Sequence, residues 1–502
     1  MDKMKRNADF ILINTTQTTL GPSSLIQYLH GKKILADYIY APKNGSELYT
    51  NKELTLIGKE IKEAKIIGIS SFSICEDRTF QLTNFIKKTY PEKHIILGGP
   101  NAIMNPERIL KKSKADSVCI HEGEIPLRNL IKKFPVDYKN IKGIWFKESK
   151  KSIIKNDFEK PLDSLNEIIF ENYKESKFGK YRRLTSGGFA SEKTFAERIL
   201  NPCMQGNFIY MITVRGCPYS CSYCINSKLN QINRVTNTPC LRYMDVDKII
   251  FYLKKIINSE EGVEKIFFFD DDFFIRSESQ IEEFAEKYKR EINLPFMVFA
   301  NPLSMTPKKI DLGIRAGLSS IEFGLQTIAK ETLKKYNRPS GAEKIKEILT
   351  HISKKKYNVE VAIDFITNSP FETEKDVVEN IHYILGLPGD FLVYVHNLHL
   401  FPGSKLREKY CEGTGFENLE YQNYGDALKN KMFNEYETKI LLSMQGWHKK
   451  EKPNKYGALT KREIEDLLKN KNVNKIENIK KLNKKITETI VAKYYAKLLE
   501  KF

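Results

Sequence analysis

The feature that most limits what this chain can fold into is a series of short apolar runs, each separated from the next by an amphipathic stretch. From residue 208 onward they read "FIYMITV", "KIFFFD", "FMVFAN", "SSIEFGL", "VEVAIDFIT" and "FLVYVHNLHLF". Runs apolar at nearly every position suit strands buried on both faces, as in parallel sheets covered by helices. Stretches such as "MDVDKIIFYLKKIIN" and "PKKIDLGIRAG" supply the helices between them. Six βα units over about 200 residues predict an incomplete relative of the eightfold barrel, with chemistry at the C-terminal ends of the strands.

A second alternation occupies the first 160 residues. Strands are expected at "FILIN" (10–14), "KIIGIS" (65–70), "HIILGG" (94–99) and "SVCI" (117–120), with helices such as "EDRTFQLTNFIKKTY" between them. That order predicts a parallel sheet covered by helices, and "IKGIWFKESKKSIIKND" reads as a β-hairpin closing the unit. Residues 161–205 show no sustained period, and "LTSGGFASEKT" reads as loop, so this segment is taken as a linker. After residue 408 the strand signal fades into charged helical sequence, "TKREIEDLLKNKN" and "ITETIVAKYYAKLLEKF". The chain of 502 residues therefore divides into an α/β domain (1–160), a linker (161–205), a partial barrel (206–408) and a helical, basic region (409–502).

Composition excludes some classes. With 41% hydrophobic residues the chain has enough apolar surface to fold, so global disorder is excluded. The sequence has no apolar run of about eighteen residues, and its start, "MDKMKRNADFILINTTQTT", lacks a signal-peptide core. A cytoplasmic protein without a membrane span is expected. The net charge is +19, but only residues 449–502 concentrate it, with 16 Lys and Arg against 7 Asp and Glu. The remainder is diffuse, and a nucleic-acid partner is not expected from charge alone.

Three of the eight cysteines fall within "CPYSCSYC": Cys217, Cys221 and Cys224. The others, Cys75, Cys119, Cys203, Cys240 and Cys411, are too scattered for a small disulfide scaffold. Structural zinc wants four ligands; no histidine lies between His121 and His351, so zinc requires Cys203 or Cys240 to fold back. A cubane iron–sulfur cluster normally takes four cysteines, one per iron, so three would leave one iron open, the mark of a catalytic site. The triplet also follows the first barrel strand, at the expected active face.

The pattern Cys217-x3-Cys221-x2-Cys224, with Tyr223 before the last cysteine, resembles the signature of radical S-adenosylmethionine (radical SAM) enzymes, and the resemblance covers roughly residues 205–405. It implies a 4Fe–4S cluster on Cys217, Cys221 and Cys224 whose open iron binds S-adenosylmethionine and cleaves it to a 5'-deoxyadenosyl radical. "FFFDDDFF" resembles the family's second-strand motif, placing Asp270 and Asp271 near the methionyl amino group. "AGLSSIEFGLQT" resembles the fourth strand, with Glu322 and Gln326 toward S-adenosylmethionine; "FITNSPFETEKDV" and "LHLFPGSKL" resemble the fifth and sixth. Asn368, Ser369 and Phe371 depart from the small residues usual in the fifth loop. On their own the aspartates also suit a turn, and Glu322 the polar side of a strand.

"GISSFS", "ILGGPNAIMNPE" and "DSVCIHEGEIPLRNLI" together resemble the Rossmann-like cobalamin-binding domain that precedes the radical domain in one subclass. The resemblance implies that Ser70, Ser71, Phe72, Gly98 and Gly99 line the cobalamin tail and corrin, with Glu122, Gly123 and Glu124 closing the last turn. His121 stands where that subclass often has glycine. The loop "NTTQTTLGPSSL" lacks the Asp-x-His-x-x-Gly motif that ligates cobalt in other cobalamin proteins, and His30 reads as a surface or packing residue. A tRNA methylthiotransferase would need a second three-cysteine set, and Cys75 and Cys119 read as ordinary buried residues.

The expected function is a cobalamin-dependent radical SAM methyltransferase acting on an unactivated centre of a small-molecule or peptide substrate, fed by an electron donor such as flavodoxin or ferredoxin. A radical enzyme that does not transfer methyl groups, and a zinc-stabilised RNA-binding protein, are the alternatives.

Overall fold

Isoleucine-rich blocks five residues long, bounded by Gly, Ser and Asn, begin the chain's sheet. The computed structural model describes residues 8–16, 20–44, 46–149, 152–168, 179–185, 188–189, 204–205, 207–410, 441, 444, 447–448 and 461–470. The chain divides into two compact units, Met1–Val263 with Phe401–Tyr424, and Glu264–Leu400 with Gly425–Phe502.

The first unit opens with β1 (Phe10–Asn14), α1 (Leu20–Gly31), β2 (Ala36–Tyr40), α2 (Asn51–Ile61), β3 (Ile66–Ser70) and α3 (Glu76–Thr89). It continues with β4 (His94–Gly98), α4 (Pro100–Met104), α5 (Pro106–Lys112), β5 (Ser117–Cys119), α6 (Glu124–Lys133), β6 (Ile144–Lys147) and β7 (Ile153–Lys155). The strands pair in the order β7-β6-β5-β4-β3-β1-β2, then β8 (Tyr181–Thr185) and β9 (Gly188–Phe189). β5 to β8 across this order are parallel; β6, β7 and β9 are antiparallel. The expected parallel sheet and closing hairpin are both present. β2 and β8 are additions, and β8 lies in the segment read as linker, because "ADYIY" and "YRRLT" are too polar to stand out as buried runs. The central strands bury Ile11, Ile13, Ile67, Ile69, Ile95 and Leu97 in one apolar cluster.

The order 2-1-3-4-5 puts β1 between β2 and β3, so the connections leaving β1 and β3 diverge to opposite sides. Such a switch point leaves a crevice outside the carboxyl ends of the strands.

The same unit continues through β10 (Met204–Gln205), β11 (Phe208–Met211), β12 (Val214–Arg215), α7 (Asn226–Val235), β13 (Arg242–Tyr243) and α8 (Val246–Ser259). β12 and β13 pair antiparallel, Val214 with Tyr243 and Arg215 with Arg242.

The second unit is built from β14 (Lys265–Phe268), α9 (Glu278–Glu291), β15 (Phe296–Ala300), α10 (Pro307–Ala316), β16 (Leu318–Gln326), α11 (Lys330–Tyr336) and α12 (Ala342–Lys355). β17 (Glu360–Thr367), α13 (Glu374–Gly386) and β18 (Leu392–Asn397) complete the series. Its strands are parallel and adjacent in chain order, β14 to β18. With β11 and α7 ahead of them in sequence, the chain presents six βα units, the order expected for a partial barrel. Capping boxes at Ser277 with Gln280 and at Thr373 with Asp376 start α9 and α13, and Gly317, at φ 118°, ends α10. α14 (Lys405–Tyr410) belongs to the first unit; β19 (Trp447–His448) and α15 (Lys461–Asn470) belong to the second. Most of the basic C-terminal region, including Tyr494 and Tyr495, lies outside the described residues, as do Cys203, Cys411 and residues 17–19 of the loop after β1. Among the described residues no helix is long and apolar enough to cross a membrane.

Candidate functional site

The cysteine loop follows β12 directly. It turns at Gly216, whose φ is 100°, and a Cβ there would stand 1.8 Å from the Cys240 carbonyl oxygen, so only glycine fits. Asn230 of α7 holds the loop from behind, its amide donating to the carbonyls of Cys217 (2.9 Å) and Tyr219 (3.2 Å). The Cys224 N–H donates to the Cys221 carbonyl at 3.0 Å, and the Leu406 N–H to that of Ser222 at 2.9 Å. Cys221 is buried, Cys217 and Cys224 are half-buried, and none of the three is in a disulfide. Tyr223 sits half-buried in the turn between them. Among the described residues no three His, Cys, Asp or Glu side chains converge where one metal ion could bind. Three soft thiol ligands on one short loop suit a cluster that takes one thiolate per iron.

Two residues before Cys217, Arg215 reaches back to the first sheet. Its guanidinium lies 3.0 Å from Glu122 and 2.8 Å from Glu124. Arg242, its partner across the β12–β13 ladder, also binds Glu122, at 3.0 Å from Oε2, and donates to the Leu162 carbonyl at 2.8 Å. Burial alone would raise the Glu122 carboxyl; Arg215 and Arg242 outweigh it and hold the group down at about 2. This clasp fixes the cysteine loop to the last turn of the sheet.

Beneath the clasp, at the β1/β3 switch point, lies a cavity of about 280 Å³. Its walls are mostly apolar: Leu12 from β1, Gly68 from β3, Leu25 from α1 and Leu127 from α6, with Ser70, Gly98, Gly99 and His121 toward the strand ends. The strand ends are fastened to each other. The Ser71 N–H donates to the Gly98 carbonyl at 2.8 Å, and Thr15 Oγ1 to the Ser70 carbonyl at 3.2 Å. Gly99 has φ 88°, and a Cβ there would meet the Ser71 carbonyl oxygen at 2.9 Å. At Gly98 a Cβ would find its nearest neighbour 4.0 Å away, so the missing side chain leaves open space in the wall. His121 is 4% exposed, and neither ring nitrogen has a hydrogen-bond partner among the described residues. An apolar slot with small residues at its mouth and an unsatisfied imidazole fits a flat, partly polar ligand such as the cobalamin tail.

In the second unit, β16 presents Glu322, Gly324 and Gln326 on one face and Phe323 and Leu325 on the other, which is buried. The register against β17 shifts between Gly324 and Gln326, and Gln326 takes φ 76°. An irregularity of this kind re-aims side chains at a strand end. Glu322 of β16 lies near Asp364 of the adjacent β17. Burial first, and the Asp364 charge second, push the Glu322 carboxyl up to about 8. Asp270 is fully buried against Arg276 at 3.3 Å, whereas Asp271 is exposed. Asp272 is also fully buried; it accepts from Ser304 Oγ at 2.7 Å, and burial raises it to about 7.

The family model described as the radical SAM superfamily matches residues 211–384, which span the cysteine loop and all of β14 to β17. The chain carries a radical SAM domain. An uncharacterized methyltransferase of Pyrococcus horikoshii is 22% identical over 420 residues, covering 82% of this chain and 83% of that protein. The bacteriochlorophyllide d C-8(2)-methyltransferase of Chlorobaculum tepidum is 21% identical over 362 residues, with 72% and 71% covered. Among solved structures, the radical S-adenosylmethionine methyltransferase TsrM from Kitasatospora setae, with cobalamin and a 4Fe–4S cluster bound, superimposes with a TM-score of 0.60. That match has 13% identity and covers 80% of this chain and 74% of TsrM; it shows a shared fold.

Most of the residues singled out in sequence fall into three sets. Cys217, Cys221, Cys224 and Tyr223 share one loop of the radical SAM domain, and Ser70, Gly98, Gly99, Glu122 and Gly123 line one cavity. Ser71 is fully buried behind the cavity wall, where it ties β3 to β4. Glu322 and Gln326 share a strand face, while Asp270 is already engaged by Arg276. Arg215, Arg242 and Asp364 carried no signal in sequence, because their partners are distant in the chain or lie across a strand pair. His30 proves to be a packing residue, buried, with Nε2 2.8 Å from the Ala36 carbonyl oxygen. Cys75 and Cys119 are ordinary buried thiols, 0% and 3% exposed.

Proposed function

We propose that the protein is a cobalamin-dependent radical SAM methyltransferase acting on an unactivated centre of a small-molecule or peptide substrate. The observation that carries this reading is the clasp: Arg215, two residues before the first cysteine of the radical SAM domain, binds Glu122 and Glu124 at the rim of the switch-point cavity. One short stretch of chain thus serves the cysteine loop and the cavity together. The methyltransferase relatives and the fold shared with TsrM support it.

In this reading Cys217, Cys221 and Cys224 hold a 4Fe–4S cluster, and Tyr223 packs beside it. Asp271, Glu322 and Gln326 bind and orient S-adenosylmethionine, with Asp270 bracing its loop through Arg276. Ser70, Gly98, Gly99 and Gly123 line the cobalamin site, and Glu122 closes it. When bound, the three groups supply one-electron cleavage, a 5'-deoxyadenosyl radical and a methyl donor. The chain's part is to hold them in register and exclude water. An electron donor of the flavodoxin or ferredoxin kind, and a cytoplasmic setting that keeps thiols reduced, belong to the same reading.

Anaerobic reconstitution followed by metal analysis and absorption spectroscopy tests it. The expected result is about four irons per chain, lost on Cys221→Ala, and one bound corrinoid. With substrate, product gains the mass of one methyl. Deoxyadenosine formation with no corrinoid retained would refute the methyl-transfer reading and leave a radical enzyme of another kind.

A further inference from the structure

His121 is a buried side chain of the switch-point cavity whose two ring nitrogens have no hydrogen-bond partner in the described structure. It follows β5 and lines the cavity beside Gly123, yet it is 4% exposed. Its main chain is fixed: the Cys119 thiol donates to the His121 carbonyl at 3.4 Å, and the preceding Ile120 N–H donates to Gly143 at 3.0 Å. Its ring is not, because Nδ1 and Nε2 both lack partners among the described residues. Burying such a ring without a partner is costly, and native cores avoid it unless a ligand or water completes the bonding.

The charged groups nearby do not take that role. Glu122 is engaged by Arg215 and Arg242, and Glu124 by Arg215. Burial lowers the imidazole's basicity from its ordinary value, so the ring is neutral, with one donor nitrogen and one acceptor nitrogen. Of the other lining residues, Leu12, Gly68, Leu25 and Leu127 offer no polar side-chain atom, and the polar ones are Ser70 and the ion-paired Glu122, Glu124 and Arg215.

Building on the cobalamin reading above, we propose that His121 is a specificity residue for the nucleotide tail of the corrinoid, hydrogen-bonding a polar atom of that tail inside the slot. The ring thereby favours a corrinoid with a complete tail over a truncated one.

The test is anaerobic equilibrium binding of hydroxocobalamin and of diaquocobinamide, which lacks the nucleotide tail, to the full-length protein and to His121→Leu and His121→Gln. Wild type is expected to prefer cobalamin. His121→Leu should lose about tenfold in cobalamin affinity and nothing for cobinamide, and His121→Gln should recover part of the preference. Circular dichroism and iron content confirm that each variant is folded. Equal losses for both corrinoids, or no loss for either, would overturn the proposal while leaving the cobalamin reading intact. A nitrogen splitting in the cob(II)alamin resonance that changes with ¹⁵N-histidine labelling would make the ring a cobalt ligand and overturn it too. If wild type binds neither corrinoid, the cobalamin reading fails first, and this proposal with it.

Discussion

Glu122 in the first unit and Glu322 in the second are both shielded from water, yet they stand in opposite electrostatic settings. Glu122 meets two guanidiniums and stays ionised, its carboxyl held at about 2. Glu322 meets another carboxyl, Asp364, and keeps its proton up to about 8. Burial acts on both in the same direction, so the partner decides the outcome. A carboxylate locked in its charged form is a fastener. One that holds a proton near neutrality can donate a hydrogen bond or exchange a proton, as functional sites require.

Removing the fastener should have the largest effect. Glu122→Ala leaves Arg215 and Arg242 short of counter-charge in a poorly solvated place, and a loss of about 3 kcal/mol is expected in urea unfolding. Arg242 is 3% exposed at its side chain, so water cannot readily replace the carboxylate. The iron content of reconstituted protein should fall with it, because Arg215 of the clasp leads through Gly216 directly into the cysteine loop. Retention of full stability and iron would show that the clasp is incidental.

The two glutamates should also respond oppositely to pH. For Glu122 the folded-state value is depressed, so its stabilisation is present above the unfolded value of 4.5 and is lost as pH falls toward 2. For Glu322 the folded value is raised, so its contribution is complete below 4.5 and is lost as pH rises toward about 8. Between those limits Glu322 alone contributes a slope of up to about 1.4 kcal/mol per pH unit, falling with pH. Glu322→Gln should flatten that slope in chemical unfolding measured from pH 5 to pH 8 and change stability little at pH 5. An unchanged slope would show that Glu322 is ionised across this range.

These two settings also mark how far the sequence could be read. Most strands of the two parallel sheets were legible as apolar runs, β2 and β8 excepted, and the cysteine spacing located its loop, because those signals are local. The clasp was not legible: Arg242 and Glu122 are 120 residues apart, and nothing in "CLRYMD" distinguishes a buried arginine from a solvated one. Asp364 was visible only as one polar letter in "VEVAIDFIT", since its meaning depends on β16 and β17 lying side by side. The aspartate run had the reverse problem. Three equal letters at 270–272 conceal two buried groups with different partners and one exposed group.

The smallest expected effect separates two neighbouring glycines that the sequence presents as equivalent. Gly99 has φ 88°, and a methyl there would press on the Ser71 carbonyl oxygen at 2.9 Å, so Gly99→Ala should cost about 1–3 kcal/mol. Gly98 is free of both constraints: its nearest neighbour to a new Cβ is Cys119 at 4.0 Å. Gly98→Ala should therefore change stability by no more than about 0.5 kcal/mol. Because Gly98 lines the cavity, its added methyl occupies ligand space instead of protein space. A Gly98→Ala protein with wild-type unfolding and weakened corrinoid binding would assign this glycine to the ligand and Gly99 to the turn. Wild-type binding in that variant would place the corrinoid away from the end of β4 and move the site toward α1 and α6.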